Sequence, residues 1–115
     1  MESITQSHPY STPSHCTADF CLIPIGTSSP SVSQQVADVQ RLIEKSGVKF
    51  VMHSAGTTLE GPWDKVLNVI GQAHTMLHNQ GIVRIQTDIR VGSRTDKKQS
   101  MEDKVAVVER LLGKK

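Results

Sequence analysis

Hydrophobic residues recur along this chain with two periods, one of two residues and the other of three to four. The period of two is clearest over residues 83–91, where apolar residues and Thr87 alternate with charged or polar ones. Such alternation predicts a β-strand with one buried face and one polar face. Shorter apolar runs predict three more strands, at residues 18–26, 48–53 and 57–60.

Three further segments place their apolar residues on one face of a helix. The first begins near Val32 and ends before Gly47, the second runs from Pro62 towards Gly81, and the third starts at Ser100. Ser31 and Gln34 are spaced as a capping box for the first helix, and Ser100 with Asp103 forms a cap-like pair for the third. Each of the three helices therefore has a start signal of its own.

The predicted order is β-α-β-β-α-β followed by a C-terminal helix, which is an α+β sandwich of the ferredoxin-like type. Both main helices would cover one face of the sheet. The opposite face would mix charged or polar residues with apolar ones, namely Lys49, His53, Arg84, Gln86, Asp88 and Arg90 with Cys21, Ile23, Ile25 and Val51. Because such a face is poorly suited to solvent, we expect a second copy of the chain to pack there, sheet against sheet.

A chain of 115 residues suits one domain with a modest core. Residues 1–16 are rich in Ser, Thr, Pro and His without an apolar period, which predicts a flexible N-terminal extension. Residues 17–115 would form the domain. Aromatic residues make up only 3% of the chain, so the core must be aliphatic. Small domains of this kind often gain stability by associating with their own copies.

Charge and cysteine content exclude several classes of partner. A net charge of +2 points neither to nucleic acid nor to an anionic membrane. No apolar run approaches the roughly 20 residues that span a bilayer, and the N-terminus does not resemble a secretory signal. Two cysteines are too few for a disulfide framework, and Cys21, inside an apolar run, is interpreted as a buried free thiol. A cytoplasmic location follows.

The common catalytic and metal-binding motifs are missing from the sequence. His74 and His78 share one helix face, but no third ligand accompanies them, and His8 with His15 are better explained as solvated tail residues. Single-stranded RNA binding requires aromatic residues on the sheet face, which the last strand lacks. We therefore expect no catalytic residue, no metal site, no cofactor and no nucleic-acid partner.

The stretch "SAGTTLEGPWDKV", residues 54–66, contains the most informative acid of the chain. Gly56 would supply a hairpin turn, and Glu60 lies between that hairpin and the helix that begins at Pro62. Glu60 could cap that helix, since a carboxylate near a helix N-terminus is stabilised by the free N–H groups. Alternatively it could line a pocket beside the hydroxyls of Thr57 and Thr58 and bind a cationic or amino-bearing ligand.

Five short motifs give the chain a resemblance to the thiamine-binding family of YkoF-like proteins, in its single-domain form. They are "IPIGT" (23–27), "SVS" (31–33), "KFVMHSAGTTLEG" (49–61), "SRTDK" (93–97) and "SMEDKV" (100–105). The resemblance extends from about residue 17 to residue 112. It implies a ferredoxin-like domain, homodimers or homotetramers formed by sheet packing, and binding of thiamine or its pyrimidine moiety rather than catalysis.

The family motif carries over onto a set of ligand-binding residues in the second hairpin, namely Ser54, Gly56, Thr57, Thr58 and Glu60. The resemblance thus favours ligand contact by Glu60, which is compatible with a capping role as well. Ser54 and Ala55 replace the family's usual Pro-Met, which bears on the contact surface for an aromatic ligand. Four charged residues also match, and they are better explained as surface or intersubunit ion pairs: Arg94, Asp96, Lys97 and Lys104.

The leading hypothesis is therefore a cytoplasmic, homo-oligomeric, non-enzymatic protein that binds thiamine or a related pyrimidine. The alternative is a structural or regulatory module that assembles through its open sheet face without a small-molecule ligand. An enzyme acting on thiamine has less support, because the sequence shows no pairing of a nucleophile with a base.

Overall fold

A computed structural model describes residues 9–113, which form one four-stranded sheet and three helices. The elements are β1 (Cys16–Ile25), α1 (Ser33–Ser46), β2 (Lys49–His53), β3 (Gly56–Gly61), α2 (Trp63–Asn79), β4 (Arg84–Gly92) and α3 (Met101–Leu111). Among these described helices, none combines the length and apolar character needed to cross a membrane. The interpretation of His8 lies outside the described residues, as do residues 1–7 of the predicted extension.

The four strands lie in the order β2-β3-β1-β4, and every neighbouring pair is antiparallel. Strand β1, which precedes α1, and strand β3, which precedes α2, occupy the centre of the sheet. This order, together with the β-α-β-β-α-β sequence of elements, is that of the ferredoxin-like sandwich. The predicted fold class is confirmed, including the additional C-terminal helix.

The helix ends agree with the sequence pattern at α3 but not at α1. Ser100 Oγ accepts the Asp103 N–H, and the Asp103 carboxylate accepts the Ser100 N–H, each at 3.1 Å, so the predicted cap is confirmed. The predicted capping box at Ser31 and Gln34 is wrong. Helix α1 begins one residue later, with Val32 at the N-cap, because Ser31 Oγ accepts the Ser33 N–H instead.

The turn that joins β2 to β3 differs from the prediction, which placed it at Gly56. Ser54 and Ala55 form the two-residue loop, and Gly56 is already the first residue of β3, paired with His53. A side chain on Gly56 would collide with the backbone carbonyl of Phe20 on the neighbouring strand. Glycine is therefore required here for the close approach of two strands rather than for a turn conformation.

The core lies between one face of the sheet and helices α1 and α2. Its fully buried residues alternate along β1 and β3 and recur along one face of each helix. They are Cys16, Ala18, Ile43, Leu59, Val66, Ala73 and Leu77. Among the described residues, the buried core contains a single aromatic side chain, that of Phe20. The predicted aliphatic core is therefore confirmed.

The other face of the sheet, which we call the open face, is covered by neither α1 nor α2. Alternate residues of β1, including Cys21, Ile23 and Ile25, are exposed on it. The prediction that Cys21 is a buried thiol is therefore wrong: the free thiol of β1 that is buried is Cys16. An apolar run predicts burial on both faces, whereas this sheet has helices on only one.

Helix α3 stands apart from the core. None of its residues is buried, and Val105 is 58% exposed and Leu111 81% exposed. Its first turn nevertheless contacts the open face, because Lys104 Nζ donates to Thr17 Oγ1 at 3.4 Å. The helix is attached at its N-terminal end and presents an apolar surface to solvent beyond it.

The residues before β1 also contact the domain. The Trp63 N–H donates to the carbonyl of Pro13 at 3.1 Å, at the start of α2. Strand β1 begins at Cys16, the last residue of the predicted extension. The flexibility of that extension stays a prediction.

Candidate functional site

A cavity of about 270 Å³ lies on the helix-covered side of the sheet, between α1 and the tip of the β2–β3 hairpin. Its walls come from residues 20–24 of β1, residues 32–40 of α1 and residues 52–57 around the hairpin loop. We call it the hairpin cavity. One wall of the cavity is formed by paired residues of three strands, because Phe20 of β1 and Met52 of β2 both lie opposite Thr57 of β3.

The cavity is lined mainly by apolar side chains, among them Phe20, Leu22, Val36, Val39 and Met52. Among the described residues of its lining there is no Lys, Arg, Asp or Glu, and the imidazole of the lining residue His53 is bonded to Asp19 on the open face. A space of this kind favours an uncharged, flat or apolar group, because transfer of a charge into it would be uncompensated. Any orientation of a ligand must then come from neutral polar atoms.

The neutral polar atoms come from Thr57 and from two glutamines of α1. The Gln40 side-chain N–H donates to Thr57 Oγ1 at 2.9 Å, and Thr57 is only 3% exposed. The carbonyl oxygens of Gln35 and Gln40 are buried and have no hydrogen-bond partner among the described residues. Both glutamines line the cavity. The site thus contains two hydrogen-bond acceptors that the protein itself leaves unused.

The structure divides the five predicted ligand-binding residues between two faces of the sheet. Ser54, Gly56 and Thr57 line the hairpin cavity. Thr58 and Glu60 do not, because successive residues of a strand point to opposite faces. The five residues therefore do not form one site within this chain.

Gln35 and Gln40 are absent from the sequence-based set. A signal for them exists in the helical period: Gln35 lies three residues after Val32, and Gln40 lies four after Val36. Residues at these spacings are neighbours on a helix surface, so both glutamines adjoin the apolar stripe. A polar residue beside a core-facing stripe is a candidate for a buried contact.

Glu60 belongs to a second polar group, which we call the Glu60 cluster, made of His15, Lys49, Glu60, Met101 and Glu102. Glu60 Oε1 accepts the Met101 N–H at 3.0 Å, and Glu60 Oε2 accepts from His15 Nε2 at 2.7 Å. Lys49 Nζ lies 3.4 Å from Glu60 Oε1 and 2.5 Å from Glu102 Oε1. The Glu60 side chain is 10% exposed.

The charge state of Glu60 follows from these contacts. Burial by itself would raise the pKa of the carboxyl, but the Met101 N–H, His15 and Lys49 outweigh it and hold the pKa below its ordinary value. Glu60 is therefore ionised at neutral pH and fully engaged. The sequence indicates a cap on α2, the next helix, whereas the structure shows Glu60 at the N-terminus of α3.

His53 supports the hairpin loop from the open face. Its Nε2 donates to Asp19 Oδ1 at 2.8 Å, and its Nδ1 accepts the Ala55 N–H at 3.3 Å. The imidazole lies beside Gly56, where a Cβ would be 3.5 Å from His53 Cε1. This pair of bonds ties the loop that borders the hairpin cavity to strand β1.

Two further histidines and the Arg94–Asp96 pair also have partners within the fold. His74 Nε2 contacts Thr87 Oγ1, and burial, with the charge of His78 as a smaller cause, lowers the pKa of His74. Arg94 donates to both Asp96 oxygens, and this contact lowers the pKa of Asp96 to about 2. Within residues 9–113, no three His, Cys, Asp or Glu side chains are grouped as metal ligands.

The fold and the hairpin cavity define the chain as a single ferredoxin-like α+β domain with a preformed, uncharged cleft beside its sheet. The family to which it belongs is that of the thiamine-binding proteins, whose model matches residues 18–109. The resemblance stated from the sequence motifs is confirmed. The family is named for binding.

The relatives come from fungi, bacteria and archaea. The chain is 53% identical over 98 residues to UPF0045 protein ECM15 of Eremothecium gossypii, covering 85% of this chain and 93% of that protein. It is 40% identical over 94 residues to UPF0045 protein sll0230 of Synechocystis, covering 82% and 77%. The crystal structure of hypothetical protein MJ1052 from the archaeon Methanocaldococcus jannaschii matches with a TM-score of 0.75 and 28% identity, over 82% of this chain and 95% of that chain.

Proposed function

We propose that this chain binds thiamine or a related aminopyrimidine in the hairpin cavity and releases it chemically unchanged. The observation that carries the proposal is the uncharged cavity of about 270 Å³ in a member of the thiamine-binding protein family. Pockets for small ligands begin at about 300 Å³, so the space suits one heterocyclic ring with its substituents.

The two parts of thiamine would occupy different environments. The aminopyrimidine ring is flat and uncharged at neutral pH, which suits the apolar walls formed by Phe20, Val39 and Met52. The thiazolium ring carries a permanent positive charge and would stay at the solvent-facing mouth, near the loop residue Ser54. Gly56 and Thr57 would contact the ligand through the hairpin. Glu60 is not part of this proposal, because the sheet separates it from the cavity.

Isothermal titration calorimetry and thermal unfolding with thiamine test the proposal. Thiamine should release or absorb heat and raise the melting temperature of the wild-type protein. Val36→Phe, on the cavity wall, should abolish both signals by filling the space. Val105→Phe, a matched change on the exposed face of α3, should leave them intact. Absence of heat and of a thermal shift with both thiamine and 4-aminopyrimidine at millimolar concentration would refute the proposal, and mass analysis of recovered ligand would reveal any turnover.

A second function, assembly through the open face, is favoured by the apolar side chains exposed there. Ile23, Ile25 and Val51 are each exposed on a face that also bears the Asp19–His53 pair. We propose that a second copy of the chain covers this face in a homodimer or homotetramer.

We also propose that the protein is located in the cytoplasm. Both Cys16 and Cys21 are free thiols, which fits a reducing compartment.

Light scattering coupled to gel filtration tests the assembly. The wild type should have at least twice the mass of one chain at micromolar concentration. Ile23→Glu should convert it to single chains by placing a charge in the interface. Val83→Glu, at an exposed apolar residue just before β4, serves as the matched control and should leave the mass unchanged. A wild-type protein of one-chain mass would contradict the proposal.

A further inference from the structure

Two glutamines that line the hairpin cavity each have a buried amide oxygen with no hydrogen-bond partner within the described chain: Gln35 Oε1 and Gln40 Oε1. Native proteins pair the large majority of such buried polar atoms, because an unpaired acceptor loses its bonds to water without replacement. Two unpaired acceptors on one helix, five residues apart and beside one cavity, therefore require an explanation.

The position of Gln40 is fixed by the sheet. Its side-chain N–H donates at 2.9 Å to Thr57 Oγ1, and Thr57 belongs to the central strand β3, paired with β1 and β2. This bond uses the nitrogen end of the amide and leaves the oxygen end as a free acceptor. Gln35 has no recorded hydrogen bond through its carbonyl oxygen either. Rotation about the terminal bond of Gln35 is soft, so its oxygen can turn towards a ligand, whereas the bond to Thr57 holds the amide of Gln40 in place.

We propose that Gln35 and Gln40 determine the specificity of the cavity by accepting hydrogen bonds from the N–H groups of an uncharged nitrogen heterocycle. The ligand class is an aromatic ring with an exocyclic amino group, such as a 4-aminopyrimidine. A ring with an oxygen in place of the amino group would bring acceptor against acceptor and bind weakly. This inference rests on the proposed function and adds the residues that select the ligand.

The charge of the lining limits the ligand further. The described walls of the cavity hold no Lys or Arg that could compensate a phosphate group. The site therefore selects for the unphosphorylated form, and a diphosphate substituent would have to remain outside the cavity.

Replacement of the glutamines separates a binding role from a structural role. Gln35→Met keeps a side chain of similar length and removes an unpaired buried acceptor. The unliganded variant should melt at the same temperature as the wild type or higher, while its affinity for the amino-bearing ligand falls about tenfold. If the role of Gln35 were purely structural, the variant would melt at a lower temperature and its affinity for the ligand would not change. Gln34→Met is the matched control, because Gln34 is exposed on the same helix and bonds Asp38.

Calorimetric titration of the wild type, Gln35→Met, Gln40→Met and Gln34→Met would use four probes. The probes are thiamine, 4-aminopyrimidine, oxythiamine, which has an oxygen in place of the amino group, and thiamine diphosphate. We expect the wild type to bind thiamine at least tenfold more tightly than oxythiamine, and to bind the diphosphate more weakly than thiamine. Gln35→Met and Gln40→Met should lose that preference, and Gln34→Met should keep it.

The outcomes distinguish the two proposals. Equal binding of thiamine by the wild type and both cavity variants would overturn the role of the glutamines and leave the proposed function standing. Binding of 4-aminopyrimidine but not thiamine, weakened in both variants, would support the role of the glutamines and refute thiamine as the ligand. Failure of all four probes to bind the wild type would overturn both.

Discussion

The hairpin cavity and the Glu60 cluster lie on opposite faces of the sheet, and they differ in how their polar atoms are paired. The Glu60 carboxylate contacts a backbone N–H, an imidazole and an ammonium group within the chain. The amide oxygens of Gln35 and Gln40 contact none of the described donors. A polar group whose bonds are complete is already occupied by the fold, whereas an unpaired one is available to a ligand. The comparison therefore supports the proposal that the carboxylate serves the fold and the amides serve binding.

One strand supports both regions. Thr57 and Leu59 of β3 face the helices, and Thr58 and Glu60 face the opposite side. The two regions are thus separated by the thickness of the sheet although Thr57 and Glu60 are three residues apart. Changes on β3 and its neighbours can test each region separately.

The largest effect is expected from Gly56→Ala, at the hairpin that borders the cavity. The added methyl group would collide with the Phe20 carbonyl, which is held in the sheet and cannot move cheaply. The free energy of unfolding should fall by about 1–3 kcal/mol, measured by urea denaturation. Gly71→Ala in α2 is the control, since a Cβ there meets nothing within 4 Å and should stabilise the helix by up to about 1 kcal/mol. Equal stability of Gly56→Ala and wild type would disprove the close approach.

The next largest effect is expected from Glu60→Ala, which should lower stability without changing the affinity for thiamine. Loss of the carboxylate leaves the Met101 N–H and Lys49 without this partner and should lower the free energy of unfolding by about 1–2 kcal/mol. Hydrogen exchange at the first turn of α3 should quicken. Affinity for thiamine should stay within a factor of two. A variant that folds as well as the wild type but binds thiamine tenfold more weakly would reverse the assignment of the two regions.

The pH dependence of stability should isolate the charge of Glu60. Burial opposes ionisation, but the N–H, imidazole and ammonium partners keep the folded pKa below the ordinary value of 4.5. The stabilisation is then complete above about pH 4.5 and is lost as the pH falls through the lower, folded pKa. The difference in unfolding free energy between wild type and Glu60→Gln should therefore shrink between about pH 5 and pH 3. A constant difference across this range would show that the charge contributes nothing.

The smallest effect is expected from Val105→Ala in α3. Val105 is 58% exposed and lies outside the core, so in a single chain the free energy of unfolding should change by less than about 0.5 kcal/mol. Unfolding should be measured at two protein concentrations tenfold apart. A larger loss that grows with concentration would indicate that another copy covers this helix, and the proposed assembly would then extend beyond the sheet.

Local patterns predicted the elements of this fold well. The alternation over residues 83–91, the stop at Gly47 and the cap formed by Ser100 and Asp103 depend on neighbours in sequence, and each is found in the structure. Strand alternation also placed the exposed charges of β4 correctly. These features follow from backbone geometry alone.

One error was local, at the capping box of Ser31 and Gln34, and the others arose where a residue depends on distant partners. Glu60 bonds residues 45 positions before it and 41 positions after it, which no spacing rule reveals. The exposure of Cys21 depends on whether helices cover both faces of the sheet. The need for glycine at position 56 depends on Phe20, and the unpaired oxygens of Gln35 and Gln40 emerge only from a complete account of hydrogen bonds.

The attachment of α3 has a practical consequence. Because this helix buries no side chain and is joined to the domain through its first turn, its far end can carry additional mass without reaching the core. A fluorescent dye, an affinity tag or a fused reporter placed after Leu111 would stand at a distance from the hairpin cavity. Such a handle would allow titrations on an immobilised protein whose hairpin cavity is left undisturbed.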